Sequence, residues 1–242
     1  MESMRVDHAV HLWTIDQRDV SAAQLQTMRQ TLNEAERAKV ARFRFEQLRK
    51  TAVISRGSLR LILSRYLSIP PETIQFVYNA QGKPALAPPA DLHFNVAHSG
   101  DFVLIALAKT AVGVDIEQIK PDIEYGLIAR RYFSEWETAV FNKLPAAKQP
   151  QAFYNCWTRK EAYLKGIGTG LTTELDSFDV EFRLDREPEL LATRHRPRNV
   201  ERWKVVGVET AVDYAAALAV DNSINEFQYF TWNVDKKSAF IR

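Results

Sequence analysis

With 242 residues, 46% of them hydrophobic and 26% charged, the chain has the composition of a globular protein that can build its core without a disulfide or a structural metal. Its formal net charge of +2 does not by itself indicate nucleic-acid binding, and a single cysteine excludes an internal disulfide and a thiolate metal cluster, which fits a reducing cytosol. The sequence has no run of about 18 apolar residues that could span a membrane and no signal-peptide pattern at its N-terminus, so we predict a cytoplasmic protein.

The first half of the chain begins with a strand pattern and continues with a long helical one. Alternating apolar residues predict a strand at 8–15, and apolar residues at helical spacing predict helices from 21 to 66. A tight turn near Lys109 is expected to join two antiparallel neighbours. The other elements predicted in this half are a strand at 74–79, a proline- and glycine-rich loop at 80–91, and three strands within 92–117.

The second half repeats the order of helices followed by strands. Helical patterns cover 124–143 and 151–166, and strand patterns follow at 178–184, 202–210, 214–220 and 226–232. This order predicts an α+β fold built from two similar halves, 1–118 and 119–242. Each half is expected to be an antiparallel sheet packed with helices.

A candidate site begins in the segment VGVDIEQIKP at 112–121. On a strand, Asp115 and Glu117 share one face, roughly 7 Å apart. Gly113, just before them, permits close approach of another backbone or of a ligand. A solvent-facing strand surface is the default interpretation of such a pair, so a functional site needs further residues.

Those further residues occur in WTRKEAYLKGIGTGL at 157–171. Glu161 and Lys165 lie one helical turn apart and therefore on one face. A third carboxylate would complete a set of oxygen ligands suited to Mg²⁺, and the lysine could bind a phosphate on that metal. By spacing alone, a surface ion pair worth about 0.3 kcal/mol remains the simpler interpretation.

Material suited to phosphate binding lies earlier in the chain. The segment GKP places Lys83 in a rigid loop, and FNVAHSG places His98 and Ser99 at the end of a strand. An imidazole, a hydroxyl and free backbone N–H groups can converge there on an anion.

Five motifs follow one another in the chain: GKP at 82–84, HFNVAHSG at 93–100, VGVDIEQIKP at 112–121, ARRYFSEWE at 129–137 and WTRKEAYLKGIGTGL at 157–171. In this order they resemble 4'-phosphopantetheinyl transferases of the Sfp type, and the broad-acceptor, cyanobacterial-like members most of all. The resemblance implies two halves related by a pseudo-twofold axis, with the active site in the cleft between them.

The resemblance also implies a reaction and a set of residues. The family moves the phosphopantetheine arm of coenzyme A onto a serine of an acyl or peptidyl carrier protein and releases adenosine 3',5'-bisphosphate. For this chain, the resemblance implies that Asp115, Glu117 and Glu161 bind Mg²⁺, or Mn²⁺ in its place. Glu161 would take the proton of the serine, directly or through a water, and Lys165 would stabilise charge on the phosphate. The residues that it assigns to coenzyme binding are Arg49, Arg56, Lys83, Asn95, His98, Ser99, Asp115 and Lys165.

The residues alone leave two other functions open. One is a magnesium-dependent phosphohydrolase that uses the same three carboxylates, and the other is a catalytically silent module that binds carrier proteins. All three carboxylates and Lys165 are present, which favours an enzyme over the silent module. We expect a monomer, because both halves lie in one chain, and no nucleic-acid or membrane partner.

Overall fold

The computed structural model describes residues 4–232 and 239–241 of the chain. Its strands are β1 (Ala9–Asp16), β2 (Phe76–Tyr78), β3 (Pro84–Leu86), β4 (His93–Ser99), β5 (Phe102–Ala108), β6 (Gly113–Gln118), β7 (Phe178–Glu181), β8 (Glu189–Thr193), β9 (Trp203–Val208), β10 (Tyr214–Asp221), β11 (Glu226–Thr231) and β12 (Ala239–Ile241). Its α-helices are α1 (Ala22–Thr31), α2 (Glu34–Ala41), α3 (Glu46–Leu67), α4 (Tyr125–Tyr132), α5 (Glu135–Phe141), α6 (Gln149–Ile167) and α7 (Asn199–Arg202).

The chain forms two compact units. Unit 1 consists of Met1–Val77, Pro84–Lys109 and Glu226–Arg242, and unit 2 of Tyr78–Lys83 and Thr110–Asn225. These units do not follow the predicted halves, which divide the chain at residue 118. The difference arises because β6 pairs with β10, whereas β11 pairs with β1.

Unit 1 contains a sheet with the strand order β12-β11-β1-β5-β4. Most of its neighbours are antiparallel, but β1 and β11 run parallel, with Ala9 opposite Glu226. The expectation of a purely antiparallel sheet was therefore wrong for this unit. A parallel partner comes from distant sequence, because parallel strands need a long connection. The core is formed by buried side chains such as Trp13, Ile54 and Ile105.

Unit 2 is built on an antiparallel sheet with the order β6-β10-β9, against which α6 packs. The strand β10 has the sequence YAAALAVD. Its alanines at 215, 217 and 219 share a core cluster with Ala162 and Tyr163 of α6. Small side chains on this face let the helix lie close to the sheet.

The α+β class is confirmed, and most predicted elements have counterparts within one to three residues at their ends. The tight turn near Lys109 was wrong, because β5 and β6 belong to different sheets. The predicted loop at 80–91 contains the short strand β3, and β8 was not predicted. The pseudo-twofold relation and the cleft remain predictions. Among the described residues, no helix is both long enough and apolar enough to cross a bilayer.

Candidate active site

The centre of the site lies in unit 2, where β6 faces α6. A Cβ atom added to Gly113 would lie 1.9 Å from the carbonyl oxygen of Ala162 and 2.4 Å from the backbone nitrogen of Gly166. The glycine therefore permits the close approach expected of it, and the approaching group is the backbone of α6. Asp115 and Glu117 lie on the same face of the strand as this glycine.

Strand register confirms this placement of the two acids. In the antiparallel pair β6 and β10, Asp115 stands opposite Ala217 and Glu117 opposite Ala215. Directly opposite residues share a face of the sheet, and the alanines belong to the core that packs on α6. The sheet thus carries both carboxylates on the face that α6 covers.

Lys165 of α6 forms an ion pair with Asp115. Its Nζ donates to Asp115 Oδ1 at 2.5 Å, and its side chain is about one-third exposed whereas that of Asp115 is buried. The other oxygen, Asp115 Oδ2, is buried and has no hydrogen-bond partner among the described residues. Leaving an acceptor of this kind unsatisfied costs about 1–3 kcal/mol.

Burial and like charges act on the acids of this site. Burial raises the pKa of Asp115 to about 7, Lys165 opposes the shift, and the nearby charges of Glu117 and Glu161 add to it. Burial also raises the pKa of Glu161, again opposed by Lys165 and strengthened by Glu117. The three carboxylates therefore interact electrostatically, and a cation would lower the energy of their ionised forms.

Asp115, Glu117 and Glu161 have the chemistry of divalent-cation ligands, but the structure does not bring the three carboxylates together as one ligand set. Within residues 4–232, no group of three or more His, Cys, Asp or Glu side chains stands close enough to bind a metal ion together. Instead, the ammonium of Lys165 contacts Asp115, and Oδ2 of the same acid lacks a partner in this part of the chain. Hard cations such as Mg²⁺ take carboxylate oxygens of this kind, so the donor set suits one.

Lys83 lies in unit 2 at the end of α6, where its ammonium contacts main-chain carbonyls. Its Nζ donates to the oxygens of Lys165, Gly166 (3.1 Å) and Val112 (3.4 Å). Burial lowers the pKa of Lys83 to about 8. The structure thus places the predicted phosphate ligand on backbone oxygens.

The other residues predicted to bind the coenzyme belong to unit 1. Asn95 is buried on β4, and His98 (exposed) and Ser99 (half-buried) end that strand, as predicted. Arg49 and Arg56 lie on α3. Arg49 Nη1 donates to the carbonyl oxygens of residues 43 (2.7 Å) and 44 (3.1 Å), and Arg56 is 3.5 Å from Glu36.

Comparison with known proteins identifies the family. A model described as the 4'-phosphopantetheinyl transferase superfamily matches residues 111–219, and one described as 4'-phosphopantetheinyl transferase, N-terminal, matches residues 17–110. The 4'-phosphopantetheinyl transferase HetI of Nostoc sp. (strain PCC 7120) is 33% identical over 215 residues, which is 87% of each chain. The chain belongs to the 4'-phosphopantetheinyl transferases.

Relatives of the Sfp type support the same assignment. The 4'-phosphopantetheinyl transferase Sfp of Bacillus subtilis (strain 168) is 32% identical over 70% of this transferase and 75% of that chain. The psf-1 transferase of Bacillus pumilus is also 32% identical, over 77% and 79%. The predicted resemblance to Sfp-type enzymes is confirmed. The two family models meet at 110/111, next to the boundary between the compact units at Lys109.

The transferase also holds a fully buried ion pair that was not predicted. Lys160, next to Glu161 in sequence, is 2.8 Å from Glu137 of α5, and both side chains are completely buried. The lysine also donates to the carbonyl oxygens of Leu175 (2.7 Å) and Phe178 (2.6 Å). The pair thus joins α6 to α5 and to the start of β7, which gives Glu137 a structural role.

Two arginines of α3, Arg56 and Arg60, lie four residues apart in sequence and have different environments. Arg60 is fully buried, and its guanidinium donates to both carboxylate oxygens of Glu36 at 2.8 and 2.9 Å. It also donates to the carbonyl oxygens of Pro71 and Ile74. Arg60 therefore braces α3, while the partly exposed Arg56 remains the candidate for coenzyme binding. No pattern in the sequence distinguishes the fully buried Arg60 from the partly exposed Arg56.

Proposed function

We propose that this transferase moves the 4'-phosphopantetheine arm of coenzyme A onto a serine of an apo acyl or peptidyl carrier protein. The products are the holo-carrier and adenosine 3',5'-bisphosphate. The observation that carries the proposal is the contact of Lys165 Nζ with Asp115 Oδ1 at 2.5 Å. The charges of Glu117 and Glu161 also act on Asp115. Such a set suits a diphosphate bound together with a divalent cation.

We propose that Asp115, Glu117 and Glu161 hold Mg²⁺, or Mn²⁺ in its place. When bound, the ion would supply Lewis-acid charge to the diphosphate of the coenzyme. The unsatisfied Oδ2 of Asp115 supports this assignment, because a cation would give it a partner. The raised pKa of Asp115 supports it too, since a nearby positive charge restores the ionised form.

Glu161 is the proposed general base. Its carboxylate would accept the proton of the carrier serine, directly or through one water, as the serine oxygen forms its bond to phosphorus. The bond to the oxygen of adenosine 3',5'-bisphosphate breaks in the same displacement. Burial raises the pKa of Glu161, which makes the ionised group a stronger base, and Lys165 opposes protonation.

Lys165 is the proposed phosphate partner. Its side chain contacts Asp115 and is about one-third exposed, so its ammonium can also bind an anion that enters the site. Hydrogen bonds between an ammonium and a phosphate are stronger than those between neutral groups. In unit 1, the proposed coenzyme ligands are Arg49, Arg56, Asn95, His98 and Ser99. We further propose that the enzyme acts in the cytoplasm as a monomer.

Intact-mass analysis of an apo carrier protein incubated with the transferase, coenzyme A and Mg²⁺ tests the proposal. The wild type is expected to add one phosphopantetheine arm. Glu161→Gln and a chelator should each prevent the gain, whereas Glu189→Gln, an exposed carboxylate of β8, should leave it unchanged. Circular dichroism would show that both variants are folded.

Two outcomes would contradict the proposal. Free phosphopantetheine released without any carrier would favour a phosphohydrolase. Binding of coenzyme A or carrier, with no mass gain on either an acyl or a peptidyl carrier, would favour a silent module.

A further inference from the structure

The final turn of α6 ends in backbone carbonyls that the helix itself does not satisfy. Gly168, in the left-handed conformation at φ 73°, ends the helix and donates its N–H to the oxygen of Leu164. The carbonyls that follow lack intrahelical donors, as at every helix C-terminus. The structure fills this need at Lys165 and Gly166 with the ammonium of Lys83.

The same ammonium also contacts the residue that precedes β6. Its third acceptor is the oxygen of Val112, immediately before Gly113. An ammonium has three N–H donors, and here three carbonyl oxygens surround it. One side chain therefore ties the start of the strand that carries Asp115 to the end of the helix that carries Lys165.

The loop that carries Lys83 is itself ordered by Asn79. The side-chain oxygen of Asn79 accepts from the backbone nitrogens of Gln81 (3.0 Å) and Lys83 (2.8 Å). Its Nδ2 donates to the carbonyl oxygen of Gly168 at 2.9 Å. Asn79 and Lys83, which lie in one loop, therefore both donate to carbonyl oxygens at the C-terminal end of α6.

We infer that Lys83 serves the proposed transfer as a positioning residue, which holds α6 against β6 through backbone carbonyls and does not bind a coenzyme phosphate directly. The inference rests on the proposed function and departs from the role that resemblance implies for this lysine. A phosphate would have to displace carbonyl contacts that the helix end needs. Without them, the turn that bears Lys165 would lose its fixed distance from Asp115.

Two variants separate positioning from phosphate binding. Lys83→Met keeps the length of the side chain and removes its donors and charge. Asn79→Ala loosens the same loop without changing any charge. Lys143→Met, at an exposed position in unit 2, controls for the loss of one positive charge. The measurements are kcat, KM for coenzyme A, and Kd for coenzyme A by calorimetry at two salt concentrations, all well below the melting temperature.

For a positioning residue, Lys83→Met should lower kcat about tenfold, because small displacements of catalytic groups cost that much or more. Asn79→Ala should lower kcat in the same direction, by about threefold. KM and Kd should stay within about twofold of the wild type, with an unchanged salt dependence. Lys143→Met should resemble the wild type in every measurement.

The inference would be overturned if Lys83→Met raised Kd about tenfold and weakened its salt dependence while Asn79→Ala had no effect, since this is the signature of a lost phosphate contact. It would also be overturned if both variants kept the wild-type kcat. A wild type that transfers nothing would instead refute the proposed function, and the inference with it, so the two failures are distinguishable.

Discussion

Replacing Lys160 with methionine removes the charge of a buried pair while nearly preserving side-chain volume. Glu137 would then remain fully buried without its ammonium partner, although it still accepts from the backbone nitrogens of Ser134 and Val180 at 2.9 Å. Burial already raises the pKa of Glu137 despite the lysine, so desolvation is the larger effect at this site. Breaking a buried pair on one side costs about 3–5 kcal/mol.

The assay is urea unfolding of Lys160→Met, Glu137→Gln and the double variant. The expected loss in the free energy of unfolding of Lys160→Met is about 3–5 kcal/mol. For a chain of this length, that loss also corresponds to a melting temperature lower by about 6–20 °C. The double variant should be more stable than Lys160→Met alone, because its buried carboxylate is gone. A loss below about 1 kcal/mol in Lys160→Met, or strictly additive losses, would refute this account of the pair.

Two further predictions concern packing and pH. Gly113→Ala should lower the free energy of unfolding by about 1–3 kcal/mol and should also lower the rate of transfer, because the added Cβ would lie 1.9 Å from the oxygen of Ala162. The control is Gly126→Ala, where the added atom meets nothing within 4 Å. Equal urea midpoints for the two variants would contradict the argument. Burial lowers the pKa of His11 to about 4, from 6.5 in the unfolded chain. Because the unfolded state then binds a proton at a higher pH than the folded state, stability should fall as the pH drops from 6.5 to 4, by at most about 3 kcal/mol. His11 Nδ1 lies 2.8 Å from the hydroxyl of Tyr66, and His11→Phe should flatten this part of the stability profile; an unchanged slope would contradict the assignment.

The heart of the candidate site could be predicted from sequence because its geometry is local. The period of two on a strand puts Asp115 and Glu117 on one face, and the helical turn does the same for Glu161 and Lys165. Gly113 was expected to permit a close approach, and the backbone of α6 makes that approach. The two pairs depend on residues no more than four apart. The expectation for Gly113 depends only on its missing side chain, and it left open whether a backbone or a ligand would approach.

What the sequence did not predict depends on partners far along the chain. The turn near Lys109 looked like a hairpin, but β6 pairs with a strand that begins at Tyr214. The acceptors of Lys83 are backbone carbonyls, which carry no side-chain pattern at all. Lys160 and Glu137 are charged, and charged residues are almost never fully buried unless they are paired. Pairing across 23 positions has no periodic signal.

The packing of unit 2 and the chemistry of its site have one cause. Because Gly113 lacks a side chain and β10 presents alanines, α6 lies directly on β6. That contact buries Asp115, and burial raises its pKa to about 7. A carboxylate in this state needs a positive partner, which Lys165 provides in this structure and a divalent cation would provide during the proposed transfer. A substitution that moves the helix away should therefore lower the pKa of Asp115 toward that of an exposed acid and weaken the need for a cation. Gly113→Ala tests packing and chemistry together for this reason.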